Sequence, residues 1–294
     1  MVGSMDVARI RALSGGVNQS GVRNHNERLL LSILQRQGAL PGIDLARLMG
    51  LSPPAISTIL RNLENEEILK RGDPIRGKVG KPSIPMSLNP DGILSIGLKI
   101  GRRSADALLL DVSGTVRRQL HTTYEYPLPE TVFGFLDESV KTIVGELDAA
   151  ARSRICGIGI ATPFELWKWH DLKGLPASKF KSWRDIDFAQ EVARFTDLSV
   201  TVVNDATAAC RAEHLYGRGK EFRDFAYFYI GSFIGGGIVM NHTVFEGNQG
   251  NAGALGSMRA TGPLGESQQL IDVASLHLLE ARLIEAGLDP KVLW

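Results

Sequence analysis

The sequence predicts an α/β protein in two parts, a small three-helix module closed by a pair of strands and a larger α/β body. Three observations predict it. Residues 24–67 carry three short helix-period segments separated by glycine turns, and a basic, glycine-containing strand pair follows. From residue 93 onward, apolar strand-like runs alternate with helix-period segments, the pattern of an α/β domain. Charge is divided in the same place: residues 1–90 hold 12 Lys and Arg against 7 Asp and Glu, although the 294-residue chain has a formal net charge of only +1. One part of the chain is built to meet an anion and the rest is not. Hydrophobic content of 44% and charged content of 22% are those of an ordinary soluble globular protein. No apolar run approaches the roughly 20 residues of a membrane helix and the N-terminus has no signal core, so a cytoplasmic location is expected. Cys156, in an apolar strand run, and Cys210, in a helical segment, are expected to be buried free thiols.

Taken in order, residues 1–23 have no sustained period and are expected to form a flexible arm. A helix follows from Asn24, with Leu29, Leu30, Ile33 and Leu34 as its stripe, Asn24 or Asn26 as cap and Gly38 as stop. A second helix covers 43–49 and Gly50-Leu51 makes a tight turn. The third opens on Ser52-Pro53-Pro54, a capping residue and two prolines where a missing N–H costs little, and runs to about Glu67. Ile56, Ile59, Leu60 and Leu63 form its buried stripe, and Ser57, Thr58, Arg61 and Asn62 fall on another face. Two helices around a glycine turn with that polar face form a helix-turn-helix, whose second helix enters the DNA major groove. Ser52, Ser57, Thr58, Arg61 and Asn62 are therefore candidate DNA contacts; the alternative is a plain three-helix bundle with a solvated face. Residues 68–88 read as two strands around the tip R-G-K-V-G-K-P, where Arg76, Lys78 and Lys81 can follow a phosphate backbone. A winged helix-turn-helix over 24–89 is the expectation, with double-stranded DNA as partner and a solvated hairpin as the alternative.

Asn89-Pro90-Asp91-Gly92 is a turn-rich boundary. Beyond it, strands are expected at 93–100, 105–112 and 115–123, a helix at 130–152 and a central strand at 155–161. Trp167 and Trp169 can stack on a sugar face, but surface or subunit packing is the better reading. A helix is expected at 183–195. A strand at 199–203 ends in Asn204-Asp205-Ala206, and Asp205 can cap the helix that follows. After a strand at 225–230 come Gly235, Gly236 and Gly237, read as a loop that brings backbone N–H groups close to a ligand. Asn241-His242 is a turn, 247–256 a second small-residue loop, and 268–286 a last helix.

The stretch G-S-F-I-G-G-G-I from Gly231, then G-N-A-G-A-L-G-S-M from Gly250, with Asn204-Asp205-Ala206 upstream, resembles the ROK family of bacterial sugar kinases and sugar-responsive repressors. The resemblance runs from about Asn24 to Met258. It implies a two-lobed, actin-like ATPase domain over 90–294 with a hinge near 204–206, its second lobe incomplete in a chain that ends at Trp294. In the kinases of this family the first loop, G-T-G-x-G-G-G, holds ATP phosphate, and N-A-G-E-x-G-H holds the sugar through its Glu and His. An earlier D-x-G-G-T turn places the metal and approaches the phosphates. Here Phe233 replaces a glycine, Ala254 the Glu, Ser257 the His, Lys99 the Asp, and Gly101-Arg102-Arg103 the G-G-T. A lysine cannot ligate magnesium, and without the metal phosphoryl transfer loses a main source of charge stabilisation.

The family's three-cysteine zinc motif is absent as well, so no catalytic residue, metal or cofactor is expected. Carried over from the family, Asp205 would be the base that takes the proton from the sugar hydroxyl and Asn204 a sugar contact; without phosphoryl transfer both can still bond sugar hydroxyls, and Ser257 would add a hydroxyl to the same ligand site. The resemblance thus implies a regulator, most simply a repressor of carbohydrate-utilisation genes, that binds an operator as a homodimer and answers to a sugar effector. The roomier cleft suggests a larger sugar, or an acidic one if Arg102 and Arg103 lie near it. Two other readings stay open: a sugar kinase carrying a DNA-binding domain, and a ligand-free dimerising regulator.

Overall fold

The chain divides into two units, Met1–Asn89 and Pro90–Trp294, and the computed structural model describes residues 19–75, 83–164, 166–167 and 180–293. In the first unit, helix α1 (Gln19–Gln37) starts inside the segment expected to be an arm, so Asn24 and Asn26 lie within it and cannot cap it. Gly38, at φ 77°, ends it as expected and donates its N–H to the Leu34 carbonyl at 2.9 Å. A two-residue strand, β1 (Leu40–Pro41), leads into α2 (Gly42–Met49), and Gly50 at φ 64° turns the chain toward α3 (Pro53–Asn65). The third helix stops short of Glu67, which itself adopts φ 59°. Ser52 is its N-cap residue by backbone conformation, but its side chain makes no capping bond.

Strands β2 (Leu69–Arg71) and β3 (Pro85–Leu88) pair antiparallel, and β1 adds to the far side of β3 with Leu40 opposite Met86. That third strand is too short to carry a period and has no sequence signal. Leu30, Leu34, Leu45, Ile56, Ile59, Leu63, Leu69 and Met86 close one apolar core beneath the helices and this small sheet. The tip with Arg76, Lys78 and Lys81 lies outside the described residues.

The second unit opens with an antiparallel meander, β4 (Leu94–Ile100), β5 (Ser104–Asp111) and β6 (Val116–Thr123). Strands β7 (Ile155–Thr162) and β8 (Val200–Asn204) then add in parallel, giving the order β6-β5-β4-β7-β8. Helix α4 (Pro129–Glu146) buries Val132, Leu136, Val140 and Ile143 in the same core as Ile96, Leu98 and Ile160 of the sheet. The single helix expected at 130–152 is in fact two. The chain becomes extended at Leu147 and restarts as α5 (Ala149–Ser153), where the Asp148 carboxylate accepts the Ala151 N–H at 2.8 Å. The helix expected at 183–195 is likewise a 3-10 turn (Ser182–Asp185) and then α6 (Phe188–Val192), restarted by the Asp187 cap. Trp183 is buried there and its indole N–H donates to the Pro127 carbonyl at 2.6 Å.

Cys156 is exposed, contrary to expectation. The β4–β7 register shifts between Leu94↔Ile155 and Ile96↔Ile158, and this bulge turns Cys156 away from the core that Ile158 occupies. Cys210 is buried, as expected.

The second unit continues with α7 (Asp205–Tyr216) and a second meander, β9 (Phe225–Ile230), β10 (Ile234–Met240) and β11 (Thr243–Phe245). Gly235, Gly236 and Gly237 lie within β10, paired with Tyr229, Phe228 and Tyr227, so the expected glycine loop is a strand. Close packing is the physical reason. A Cβ on Gly235 would sit 2.8 Å from the Ala206 Cβ and one on Gly237 2.4 Å from the Cys210 Cβ, so the bare strand lets α7 lie directly on it. Asn241 and His242, at φ 51° and 57°, make the expected tight hairpin turn.

Part of the second small-residue loop winds into a 3-10 turn, Leu255–Ser257. The hairpin β12 (Arg259–Thr261) and β13 (Ser267–Gln269) leads into the expected last helix, which forms in two pieces, α8 (Leu270–Val273) and α9 (Leu276–Glu285). Ala274, at φ −144° and ψ 34°, breaks the helical run between the last two. Among the described residues no helix is long and apolar enough to cross a membrane.

Candidate nucleic-acid face and effector cleft

Helix α3 separates its two faces cleanly. Ile56, Ile59 and Leu63 are buried, while Ser52, Ser57, Thr58 and Arg61 are exposed and Asn62 is half-buried. The Thr58 hydroxyl donates back to the Pro54 carbonyl at 3.1 Å, so it reaches a partner outside the helix only as an acceptor or by giving up that bond. Reading along the same face, Ser57 and Arg61 are followed by Glu64, which the sequence did not single out. Glu64 takes the Arg71 guanidinium of β2 in a fork: Arg71 Nε donates to Oε1 and Nη2 to Oε2, the second at 2.7 Å. A groove of about 240 Å³ runs between the helix and the strands, with Ser57 and Arg61 on one wall and Arg71 and Ile84 on the other.

At the other candidate site, β8 delivers Asn204 and α7 starts at Asp205, beyond the carboxyl ends of the parallel strands β4, β7 and β8, where open α/β sheets take ligands. Asn204, not Asp205, is the helix cap. Its Oδ1 accepts the Thr207 N–H at 3.1 Å, and its Nδ2 donates to Asp205 Oδ1 at 3.2 Å. Asp205 Oδ1 also accepts the Ala206 N–H at 2.8 Å. Burial pushes the Asp205 carboxyl above its usual range, against the pull of that N–H and of Lys99, which sits in the row Lys99–Ala161–Val203 across the three strands. The Thr162 hydroxyl, one residue beyond that row and opposite Asn204, is buried without a partner. Ser257 is exposed on the 3-10 turn and donates its hydroxyl to the Ala254 carbonyl at 2.7 Å.

A carboxyl whose pKa is raised by folding contributes stability that is present below its unfolded value and lost as pH rises through its folded value. Removing it should therefore help at neutral pH. Asp205→Asn, which keeps an acceptor for the Ala206 N–H, should raise the melting temperature of the ligand-free protein at pH 7 by roughly 1–3 °C, and the gain should vanish near pH 4. A lower melting temperature at pH 7 would contradict this reading of Asp205.

The turn at 101–104 is braced by the Gly101 N–H bond to the Ser104 carbonyl at 2.8 Å and by the half-buried Tyr124 hydroxyl, 2.8 and 2.7 Å from the carbonyls of Gly101 and Ser104. It holds out Arg102 and Arg103, and both meet Glu280 of α9. Arg102 Nη1 donates to Oε2 at 2.5 Å and Arg103 Nη2 to Oε1 at 3.2 Å, with His277 Nδ1 3.3 Å from Arg102 Nη1. Glu280 is only 5% exposed. Burial alone would raise its pKa, but the Arg102 bond and the charges of Arg102, Arg103 and His277 outweigh it and hold the carboxyl below its usual range. The start of α9 also binds the loop at 231–233, Leu276 N–H to the Gly231 carbonyl at 3.0 Å and His277 N–H to that of Ser232 at 3.2 Å. The arginines that would favour an acidic effector if they lay near the cleft already have a carboxylate, supplied from more than 170 positions away, a distance at which a single sequence carries no signal.

Residues 95–269 match the ROK family. The chain belongs to the ROK family. Residues 23–70 match a winged helix-turn-helix DNA-binding family, so the order is a winged helix-turn-helix and then the actin-like ROK domain. The xylose repressor of Bacillus spizizenii is 24% identical over 241 residues, which cover 82% of this chain and 62% of the repressor. The dual regulator NagC of Escherichia coli K12 is 24% identical over 290 residues, 95% of this chain and 68% of NagC. The chain spans less than two thirds of the length of the two Bacillus xylose repressors it matches. Among solved structures, a ROK family transcriptional regulator described as a homologue of the E. coli MLC protein superposes with TM-score 0.63 at 21% identity, over 91% of this chain and 69% of that one. A ROK glucokinase from Streptomyces griseus, solved with glucose and AMPPNP, gives 0.51 at 24% identity over 66% of this chain and 62% of its own. The ROK fold is therefore shared with regulators and kinases alike, and the site residues must decide between them.

Proposed function

We propose that this ROK protein is a DNA-binding transcriptional regulator, a repressor of carbohydrate-utilisation genes, whose ROK domain binds a sugar effector and does not transfer phosphate. The head spans 24–89 and the sensor 90–294, with a hinge near 204–206. The single observation that carries the reading is the arginine cluster. The turn at 101–104 and the loop at 231–233, where the family's kinases approach nucleotide phosphate, are both tied to α9 through Glu280, Leu276 and His277. Lys99 adds a cation where a metal-placing acid would be needed. What remains beside it is a carboxylate and a carboxamide at Asp205 and Asn204, which can accept and donate hydroxyl bonds without any chemistry. The relatives named as a xylose repressor and as a DNA-binding transcriptional dual regulator support the same reading.

In this account Ser52, Ser57, Thr58, Arg61 and Asn62 face the major groove, and Arg76, Lys78 and Lys81 follow the phosphates. Asn204, Asp205 and Ser257 hold the effector. The protein acts in the cytoplasm as a homodimer, since paired half-sites need paired readers. The effector shifts the spacing of the two heads by no more than its differential affinity for the two arrangements.

The test is DNA binding over a salt series. Lys78→Ala with Lys81→Ala should weaken binding to every duplex and reduce the slope of log K against log salt by about 0.9 for each phosphate no longer neutralised. Arg61→Ala should instead relax base preference by roughly 1–3 kcal/mol at the bases it reads. A wing double mutant with wild-type affinity and slope would remove the wing from the interface. Sugar-dependent ATP turnover that disappears in Asp205→Asn would overturn the non-enzymatic half of the proposal.

A further inference from the structure

We infer that Glu64 is a positioning residue for DNA recognition: it holds Arg71 against α3 and withdraws that cation from indiscriminate contact with phosphate. The inference rests on the DNA-binding reading above and adds to it a restraint inside the head. Three observations carry it. Glu64 continues the face formed by Ser57 and Arg61, so an acid stands at the end of the row that meets DNA. Its partner Arg71 lies on β2, across the groove of about 240 Å³ that separates helix and strands. The pair is a two-bond fork rather than a point contact, and both members remain open to solvent, with side-chain exposures of 57% for Arg71 and 27% for Glu64.

An exposed arginine on a wing strand is an obvious phosphate ligand. Paired in a fork with a carboxylate, it is not: its planar N–H donors are already aimed at oxygens, and the pair as a whole carries no net charge. The Arg71 hydrogen bond and charge hold the Glu64 carboxyl below its usual range, so the pair remains ionised throughout the neutral region. Such a pair ties the end of α3 directly to β2. It also subtracts one cation from the sequence-independent part of binding, which leaves base-edge contacts from Ser57 and Arg61 a larger share of the discrimination. Exposed ion pairs contribute little to stability, so this one is better understood by what it does to charge than by what it does to folding.

The full chain can test this with a 30-base-pair duplex of random sequence and with the site enriched from a random duplex pool, each followed by fluorescence anisotropy over a potassium chloride series. Glu64→Gln should bind the random duplex roughly three- to tenfold more tightly, with a salt slope steeper by about 0.9, because freed Arg71 neutralises one more phosphate. The ratio of enriched-site to random binding should fall. Glu64→Gln combined with Arg71→Ala should return the slope to the wild-type value; if the steeper slope persisted in the double variant, general loss of negative charge would explain it and the inference would fail. Weaker binding of both duplexes by a Glu64→Gln protein with wild-type circular dichroism would also overturn it, since the pair would then be presenting Arg71 to DNA. If the wild type binds neither duplex, the DNA-binding reading falls and this inference with it. Wild-type binding with an unchanged slope in Glu64→Gln sinks only the present inference.

Discussion

Gly253→Ala should cost the second unit more than about 4 kcal/mol, a large part of the 5–15 kcal/mol that holds a typical domain together. The added Cβ would lie 2.1 Å from the Gly236 carbonyl oxygen, 2.4 Å from its carbon and 2.7 Å from the Gly237 Cα. All three are backbone atoms, so no flexible side chain can give way. Moving β10 offers no relief, because Gly235 and Gly237 already hold it against Ala206 and Cys210 of α7. Overpacking that a core can absorb costs about 1–3 kcal/mol; here the strand is held on both sides and the cost should exceed that. Gly250→Ala is the control in the same loop. Its φ is 69° with nothing within 4 Å of the new methyl, so only left-handed backbone strain of about 1 kcal/mol applies. Thermal melts followed by circular dichroism decide the matter. Melting temperatures for the two variants within about 2 °C of each other would show that packing does not explain Gly253.

Arg102→Ala is expected to cost about 3 kcal/mol at neutral pH. Removing one partner of a buried pair leaves the other charge unsatisfied, and Arg102 and Glu280 have side-chain exposures of only 14% and 7%. Arg103 remains, at 3.2 Å, but it is half-exposed and cannot replace the lost bond in full. The pH dependence follows from the depressed pKa of Glu280. A carboxyl with a lowered folded pKa contributes stability that is present above its unfolded value, about 4.3 for Glu, and lost as pH falls through its folded value. The gap between wild type and Arg102→Ala should therefore be widest at neutral pH and close in the acid range below about pH 4. Denaturant titrations at pH 7 and pH 3.5 measure it directly; a gap of equal size at both would assign the loss to packing of the arginine stem rather than to charge. Arg102→Ala with Glu280→Ala should recover part of the loss, because the orphaned carboxylate is removed too.

The elements legible in the sequence were those whose signal is local and periodic. The Ser52-Pro53-Pro54 start, the Gly38 and Gly50 stops, the alternating runs of β4 to β6 and the Asn241-His242 hairpin all follow from the conformations those residues prefer. The exposed polar face of α3 follows from its 3.6-residue period. Helix ends were less legible: α1 begins before the asparagines that looked like its cap, and Asp148 and Asp187 restart helices that periodicity alone would carry through. A capping bond competes with helix continuation by about 1 kcal/mol, and sequence shows the capping residue without showing whether the bond is made.

The sequence by itself determined which chemistry is present and which is missing: lysine for aspartate at 99, two arginines for a glycine turn, serine for histidine at 257, and Asn204-Asp205 retained. It also determined the basic head and the order of the domains. Only the tertiary structure decided what those residues are engaged with. Gly235 and Gly237 let α7 pack directly on β10 and Gly236 makes room for Leu255, Asn204 caps the helix that Asp205 begins, and Arg102 and Arg103 are occupied by Glu280. Glu64 and Arg71, seven residues apart, meet only because a helix end and a strand are folded against each other. A side chain's type is local information. Its partner depends on which distant segment the packed core brings within about 3 Å, and no single-residue preference encodes that.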